Sequence, residues 1–363
     1  MCGAYRSMTL AAFNQSKIKM WRRCQKQYAF RYDYSPDGKE LVPKHAKVQL
    51  QRGTWLHALI EAHFREEAGM SMAKGTWKEV HAQYKAEFDK LFEEERSELG
   101  DLPDECYRIF KSYLRFYGDE GDRYVTAKLH DGSPAVEFVL EAELPDGRTF
   151  KGRVDRLVED TEYGGLWVWD HKWVKTVPDS DERMMSPQSP MYVWGLRSLD
   201  YDLRGFLYNY GRTKAPAIPQ VLKKPQGAVS QRRNMDTDIA TYCKVLKEQY
   251  GENWKTMAKT VYREHLQRLK NREVLWFRRE RIPVDDALIE RCLTEFTASI
   301  AQIDNREDHL TAPRSYFYNC KFGCEYHALC VAEFTGLNID PLIKSRYELI
   351  EERYGETEDL LSA

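Results

Sequence analysis

The chain has 363 residues, 42% of them hydrophobic, with eight cysteines and a formal net charge of −2. That is enough apolar material for one large core or two ordinary ones, but not the overall basic excess of a typical nucleic-acid binder. No run of about 18 apolar residues occurs, and the N-terminus lacks the basic-then-apolar order of a secretion signal, so no membrane span is expected and the cytoplasm is the expected location.

Residues 1–134 read as a helical N-terminal segment. Its first 32 residues carry Arg6, Lys17, Lys19, Arg22, Arg23, Lys26 and Arg31 and no acid. From Ser16, a plausible N-cap, to about Tyr32, the positions Ile18, Trp21, Tyr28 and Phe30 fit a helix with a basic opposite face. Arg22 and Arg23 on that face are candidate phosphate contacts. Further helical patterns run from Thr54 to Glu67, Trp77 to about Glu98 and Pro103 to Tyr117.

At Ala135 the period changes to two, and residues 135–210 read as an α/β core. Val136, Phe138 and Leu140 alternate with Glu137, Glu141 and Glu143, and Pro145-Asp146-Gly147 then supplies a turn. Strands are expected at Phe150 to Val158 and Leu166 to Trp173, separated by a turn holding Gly164-Gly165. A helix from Gln188 to Leu199 and a strand from Arg204 to Tyr210 complete the core. Residues 211–235 form a Pro-rich loop with Arg212, Lys214, Lys223, Lys224, Arg232 and Arg233 and no acid, again candidate DNA contacts. Residues 236–342 read as a C-terminal helical lobe with one strand near Glu273 to Arg281, and residues 343–363 as an acidic tail. No phosphate-binding Walker A sequence occurs, so no ATP-driven motor is expected in this chain.

The most informative stretch is Gly152-Arg153-Val154-Asp155-Arg156 followed by Trp169-Asp170-His171-Lys172. In an extended strand Asp170 and Lys172 share one face, while Trp169 and His171 take the other. If the strand of Asp155 is the antiparallel neighbour, two carboxylates approach each other, which is costly unless a cation lies between them. Hard oxygen ligands suit Mg²⁺ or Mn²⁺, and Lys172 can orient water or offset charge on a phosphorane. Judged on Asp-x-Lys alone, a solvated surface hairpin accounts for the same residues. Trp167, Trp169 and Trp173, opposite Asp170, are expected to pack in the core.

In its spacing this run resembles the signature of the PD-(D/E)XK nuclease superfamily, with Asp155 as the first acid and Asp170-His171-Lys172 as the (D/E)-x-K element. Gly53-Thr54-Trp55-Leu56-His57 is similar to the G-T-x-x-H helix start of its RecB-like branch, and Gln188-Ser189-Pro190-Met191-Tyr192 to the Q-x-x-x-Y motif. The resemblance implies a restriction-endonuclease-like α/β core with a mixed central sheet, and a Mg²⁺ or Mn²⁺ site drawn from His57, Asp155, Asp170 and His171. It implies that Lys172 acts in catalysis and that Gln188 and Tyr192 contact the DNA backbone near the scissile phosphate. Pro190 fits that motif if the helix starts near Ser189.

Cys320, Cys324 and Cys330 lie within eleven residues, one thiol short of a tetrahedral set. The RecB-like resemblance supplies the fourth as Cys24 and implies a structural [4Fe–4S] cluster joining the helical N- and C-terminal segments; spacing alone leaves Zn²⁺ open. Together these features imply a standalone metal-dependent DNA exonuclease that hydrolyses phosphodiesters through a metal-activated water, similar to phage-encoded and CRISPR-associated nucleases. Its role would lie in end-processing for recombination, repair or replication, with a recombination or replication protein as a partner. The alternative is a DNA-binding or scaffolding subunit that keeps the fold and cluster without the chemistry. A zinc-stabilised RNA-binding module is disfavoured, because no RNA-binding signature occurs.

Overall fold

The computed structural model describes residues 12–44, 48–70, 75–118, 123–272, 276–305, 311–316 and 320–351. Arg6, the start of the expected strand at 273–275 and most of the expected acidic tail, from 352 onward, lie outside the described residues.

The basic N-terminal run is not one helix. Helix α1 (Gln15–Arg23) is capped by Asn14, whose side chain accepts the Lys17 N–H at 2.7 Å, and it stops at Cys24, which is extended at φ −162° and ψ 109°. Helix α2 (Gln25–Tyr28) restarts directly after the break and runs into a π-helical turn, Ala29–Asp33. After strand β1 (Glu40–Pro43) come α3 (Val48–Glu67), α4 (Trp77–Lys90), α5 (Glu93–Leu99) and α6 (Leu102–Tyr117). Thr76 and Glu79 close a capping box at the start of α4. The pattern expected as one helix over 77–98 is divided because Leu91 and Phe92 are extended.

Strands β2 (Tyr124–Thr126), β3 (Val136–Glu143), β4 (Thr149–Asp160) and β5 (Leu166–Val174) follow, then helices α7 (Ser180–Met184) and α8 (Gln188–Arg197) and strand β6 (Leu203–Arg212). The β3–β4 turn uses Gly147 at φ +81°, where an L side chain is strained. Beyond β6 lie α9 (Ile239–Tyr250), α10 (Trp254–Lys259), α11 (Arg263–Lys270), β7 (Phe277–Pro283) and α12 (Asp286–Asp304), then α13 (Cys320–Gly323), α14 (His327–Phe334), α15 (Asp340–Arg346) and β8 (Tyr347–Ile350).

The central sheet runs β2-β4-β5-β6-β7, with β3 also paired to β4. Among the described residues only the β5–β6 pair of this sheet is parallel, and that connection crosses over through α7 and α8, as a parallel pair requires. The fold is therefore mixed α/β, as the sequence implies. One face buries Val154, Val168, Met191, Phe206 and Phe296 beneath α8 and α12; the other buries Leu59, Ile60, Phe110, Trp169 and Leu207 beneath α3 and α6. Residues 236–342 do not share one core: α9–α11 enclose their own cluster, α12 joins the α8 face, and Tyr326 and Leu329 pack with Phe30 and Leu41. A small antiparallel pair, β1–β8, not expected from the sequence, ties this last group together.

Candidate active site

Antiparallel β4 and β5 pair Arg156 with Trp169 and Leu157 with Val168, which brings Asp155 beside the segment carrying Asp170 to Lys172. The Asp155 carboxylate accepts the backbone N–H of His171 at 2.6 Å. Asp170 holds Lys172 through its two oxygens, at 2.6 and 2.9 Å from Nζ, and takes the Gln188 side-chain amide at 2.8 Å. Burial raises the Asp155 carboxyl above the usual range and pushes that of Asp170 to about 6, in both cases against the pull of the Lys172 cation. For Lys172 burial opposes the charge, but Asp170 and Asp155 outweigh it and hold the ammonium above the ordinary lysine range.

A third carboxylate joins them from a local irregularity. Val136 pairs with Arg156 and Phe138 with Val154, yet Val136 belongs to the α3–α6 face and Phe138 packs on the α8 face. Two residues apart in a regular strand would share a face. Glu137 between them has φ +49°, a left-handed conformation that costs a non-glycine residue about 1–3 kcal/mol and recurs at functional sites. The kink turns the Glu137 side chain toward the site, where Arg153 Nε donates to it at 2.6 Å. Burial, then Asp155 and Glu61, drive its carboxyl well above the usual range.

His57 completes the arrangement from the middle of α3, nine residues after the helix begins rather than in its first turn as expected. Ligand atoms of His57, Glu137 and Asp155 all lie within 4.8 Å of one another. Burial and the Lys172 cation push the His57 imidazolium down to about 4, so the ring is neutral near pH 7 with a lone pair to donate. Two carboxylates and one neutral imidazole make a donor set able to hold a divalent metal ion. Asp170 stands outside this close group, with its oxygens engaged by Lys172 and Gln188.

One expected role needs correction. His171 is 2% exposed and its imidazole lies on the opposite face, stacked on Phe64, receiving the Trp169 indole N–H at 3.1 Å and lying 2.6 Å from Asn209 Nδ2. Strand alternation takes its side chain out of the metal set, and only its backbone N–H serves the site. Tyr192 is 9% exposed, packed against Phe150, and Gln188 at the first position of α8 turns its amide to Asp170. Gln188 thus orients Asp170, while Tyr192 packs in the layer beneath α8. Trp167 and Trp169 are buried in the core, as expected.

The basic residues divide similarly. Arg22 bonds Ser299 at 3.0 Å and Glu295 at 3.4 Å on α12, and Arg23 bonds Gln27 across the break between α1 and α2; both arginines remain exposed. Arg212 and Lys214 both pair with Asp236, at 3.0 and 2.8 Å, an acid lying one residue past the acid-free loop. Lys223, Lys224, Arg232 and Arg233 are exposed.

Cys24, Cys320, Cys324 and Cys330 line one cavity, all as free thiols. Among the described residues no three of their sulfurs lie within 4.8 Å of one another. Cys24 lines this cavity from the break between α1 and α2, where its backbone is extended.

Of the residues that sequence reasoning missed, Glu61 was visible as the residue one turn after His57 on α3, where it is buried and paired to Arg65 at 2.9 Å. Glu137 had no such signal: in a regular alternation it reads as a solvated strand position.

A family model described as the PD-(D/E)XK nuclease superfamily matches residues 12–331. No curated protein matches the chain.

Proposed function

Because the chain belongs to the PD-(D/E)XK nuclease superfamily, whose members hydrolyse phosphodiesters with divalent metal ions, we propose that it is a Mg²⁺- or Mn²⁺-dependent DNA exonuclease. The observation that carries this reading is the convergence of His57, Glu137 and Asp155 within 4.8 Å, beside the Asp170–Lys172 pair. Three buried or half-buried acids near one another and a neutral imidazole make a site whose repulsion a divalent cation relieves.

His57, Glu137 and Asp155 would hold the ion, with Asp170 next to it. When bound, such an ion polarises the phosphodiester and acidifies water. The chain's own residues supply the rest. The His171 N–H and the Gln188 amide fix the two aspartates, so the donor atoms are oriented before substrate arrives. Lys172, kept charged by Asp170, offsets the negative charge that develops on the phosphorane. Lys223, Lys224, Arg232 and Arg233 would neutralise phosphates of the strand being cut.

Cys24, Cys320, Cys324 and Cys330 would hold a structural [4Fe–4S] cluster rather than Zn²⁺, a reading supported by their shared cavity and by the RecB-like motif order. Four soft thiolates fit that chemistry, and the cytoplasm would keep them reduced. The biological setting would be processing of DNA ends in recombination, repair or replication, together with a protein that recruits the enzyme.

End-labelled single- and double-stranded DNA, incubated with and without Mg²⁺ or Mn²⁺, tests the activity. Metal-dependent release of short products from ends, with closed circular DNA spared, is the expected result. Absence of cleavage with either ion overturns the reading.

A further inference from the structure

Strands β6 and β7 are hydrogen-bonded antiparallel neighbours, yet residues 213–276 separate them in sequence. A short turn suffices for such a pair, so the excursion serves something other than the sheet. It has its own core of Val229, Tyr242, Val245, Leu246, Tyr262 and Leu269. Its hairpin-like loop is bolted to its helices: Tyr262 Oη accepts the Val229 N–H at 2.8 Å, and the Tyr242 and Tyr250 hydroxyls donate to Ser230 and Gly227 carbonyls at 2.9 and 3.0 Å.

Charge singles this lobe out. Residues 213–272 contain thirteen Lys and Arg against five Asp and Glu, a formal +8, so the rest of the chain carries −10 within a total of −2. Such like-charge density opposes compaction and suits a polyanion partner. Around one open depression on α10 and α11, Lys259, Arg263, Gln267 and Lys270 are all exposed, with no acid in the lining. None of these three cations forms an ion pair among the described residues. The lobe leaves the sheet near the site, because Lys172 is level with Tyr210 and β6 ends at Arg212.

We infer that this inserted lobe is a second nucleic-acid-binding surface, in which Lys259, Arg263 and Lys270 grip the phosphate backbone of DNA whose end lies in the cleavage site. The inference rests on the nuclease reading for the identity of its polyanion, and it adds a length requirement. A strand long enough to reach α10 and α11 is held at two places; a shorter one is held only at the site. The grip reads phosphates and not bases, since long cations without a base-edge partner carry no sequence code.

The test compares the full-length wild type with Lys259→Glu/Arg263→Glu/Lys270→Glu on an oligonucleotide of about 4 nucleotides, the low end of single-strand site sizes, and on a strand several times longer. For the long strand the variant should bind more weakly, with a log–log salt slope shallower by about 2–3, one counterion release lost per cation. Its kcat/KM on the short oligonucleotide should stay at the wild-type value. The Gln triple variant, which neutralises without reversing charge, should flatten the slope by a similar amount. Equal losses on both lengths, or an unchanged salt slope, would overturn the lobe assignment. Wild-type protein that binds the long strand through these cations but cleaves neither substrate retains the lobe and overturns the nuclease reading instead.

Discussion

The Asp155 carboxylate and the backbone N–H of His171 meet at 2.6 Å, so the strand that carries Asp170 and Lys172 also clamps the acid of its neighbour. A backbone donor cannot rotate away as a side chain can. The distance between the two aspartates is thereby set by the β4–β5 register, and the site is organised by the sheet itself.

Asp155→Ala, Asp170→Ala and Lys172→Ala should each lower metal-dependent DNA cleavage by about 100-fold or more, the scale of losing one preorganised charge at a phosphoryl centre. Circular dichroism should show each variant folded. Gln188→Ala, which frees Asp170 without removing it, should cost less. A folded Asp170→Ala protein that cleaves at the wild-type rate refutes the assignment.

Mn²⁺ should stabilise the folded chain against heat, since an ion that binds only the native state contributes about 2.7 kcal/mol at 100 times its Kd. Glu137→Gln, by deleting a donor, should weaken the ion by about 10-fold or more and remove about 1.4 kcal/mol of that stabilisation at equal Mn²⁺. Thermal melts over a Mn²⁺ series read both quantities. If the two proteins respond identically, Glu137 is not a ligand.

The contrast between Glu137 and Asp155 marks how much could be read in the sequence. Asp155, Asp170 and Lys172 were legible because strand alternation is local and the turn between β4 and β5 is short. Glu137 was not, because its facing depends on a kink between Val136 and Phe138, which pack on opposite hydrophobic faces, and on its pairing with Arg153. His171 was misassigned although alternation already placed it with Trp169; the motif outweighed the parity. The pairing of Arg212 and Lys214 was not legible either, since their partner Asp236 lies just past the acid-free loop and folds back onto them.

Gly205→Ala should destabilise the protein by about 1–3 kcal/mol, the usual cost of forcing an extra carbon into packed structure. Gly205 sits on β6 opposite Pro283, and an added Cβ there would overlap the carbonyl oxygen of Ile282 and approach the Trp167 ring at 3.0 Å. Backbone of the neighbouring strand cannot step aside as a flexible side chain does. A denaturant midpoint equal to wild type would contradict the β6–β7 register.

Cys24 and the C-terminal thiols are almost 300 residues apart in sequence yet line the same cavity, and burial raises the Cys324 and Cys330 thiols above the usual range when they carry no metal. Thiols so placed are poor nucleophiles but become thiolates once a cluster binds, so loading should release protons and join the two ends of the fold. Anaerobically purified protein should be brown and contain about four irons per chain, as expected for thiolate-bound [4Fe–4S]. Cys24→Ser should lose the iron as fully as Cys324→Ser and lower the thermal midpoint, because each removes one of four ligands. Cys106→Ser should retain it: that thiol lies on α6, buried in the core cluster it shares with α3, and burial pushes it to about 12. Colourless protein with one zinc per chain would assign the site to Zn²⁺, and iron retained in Cys24→Ser would show that the fourth ligand comes from elsewhere.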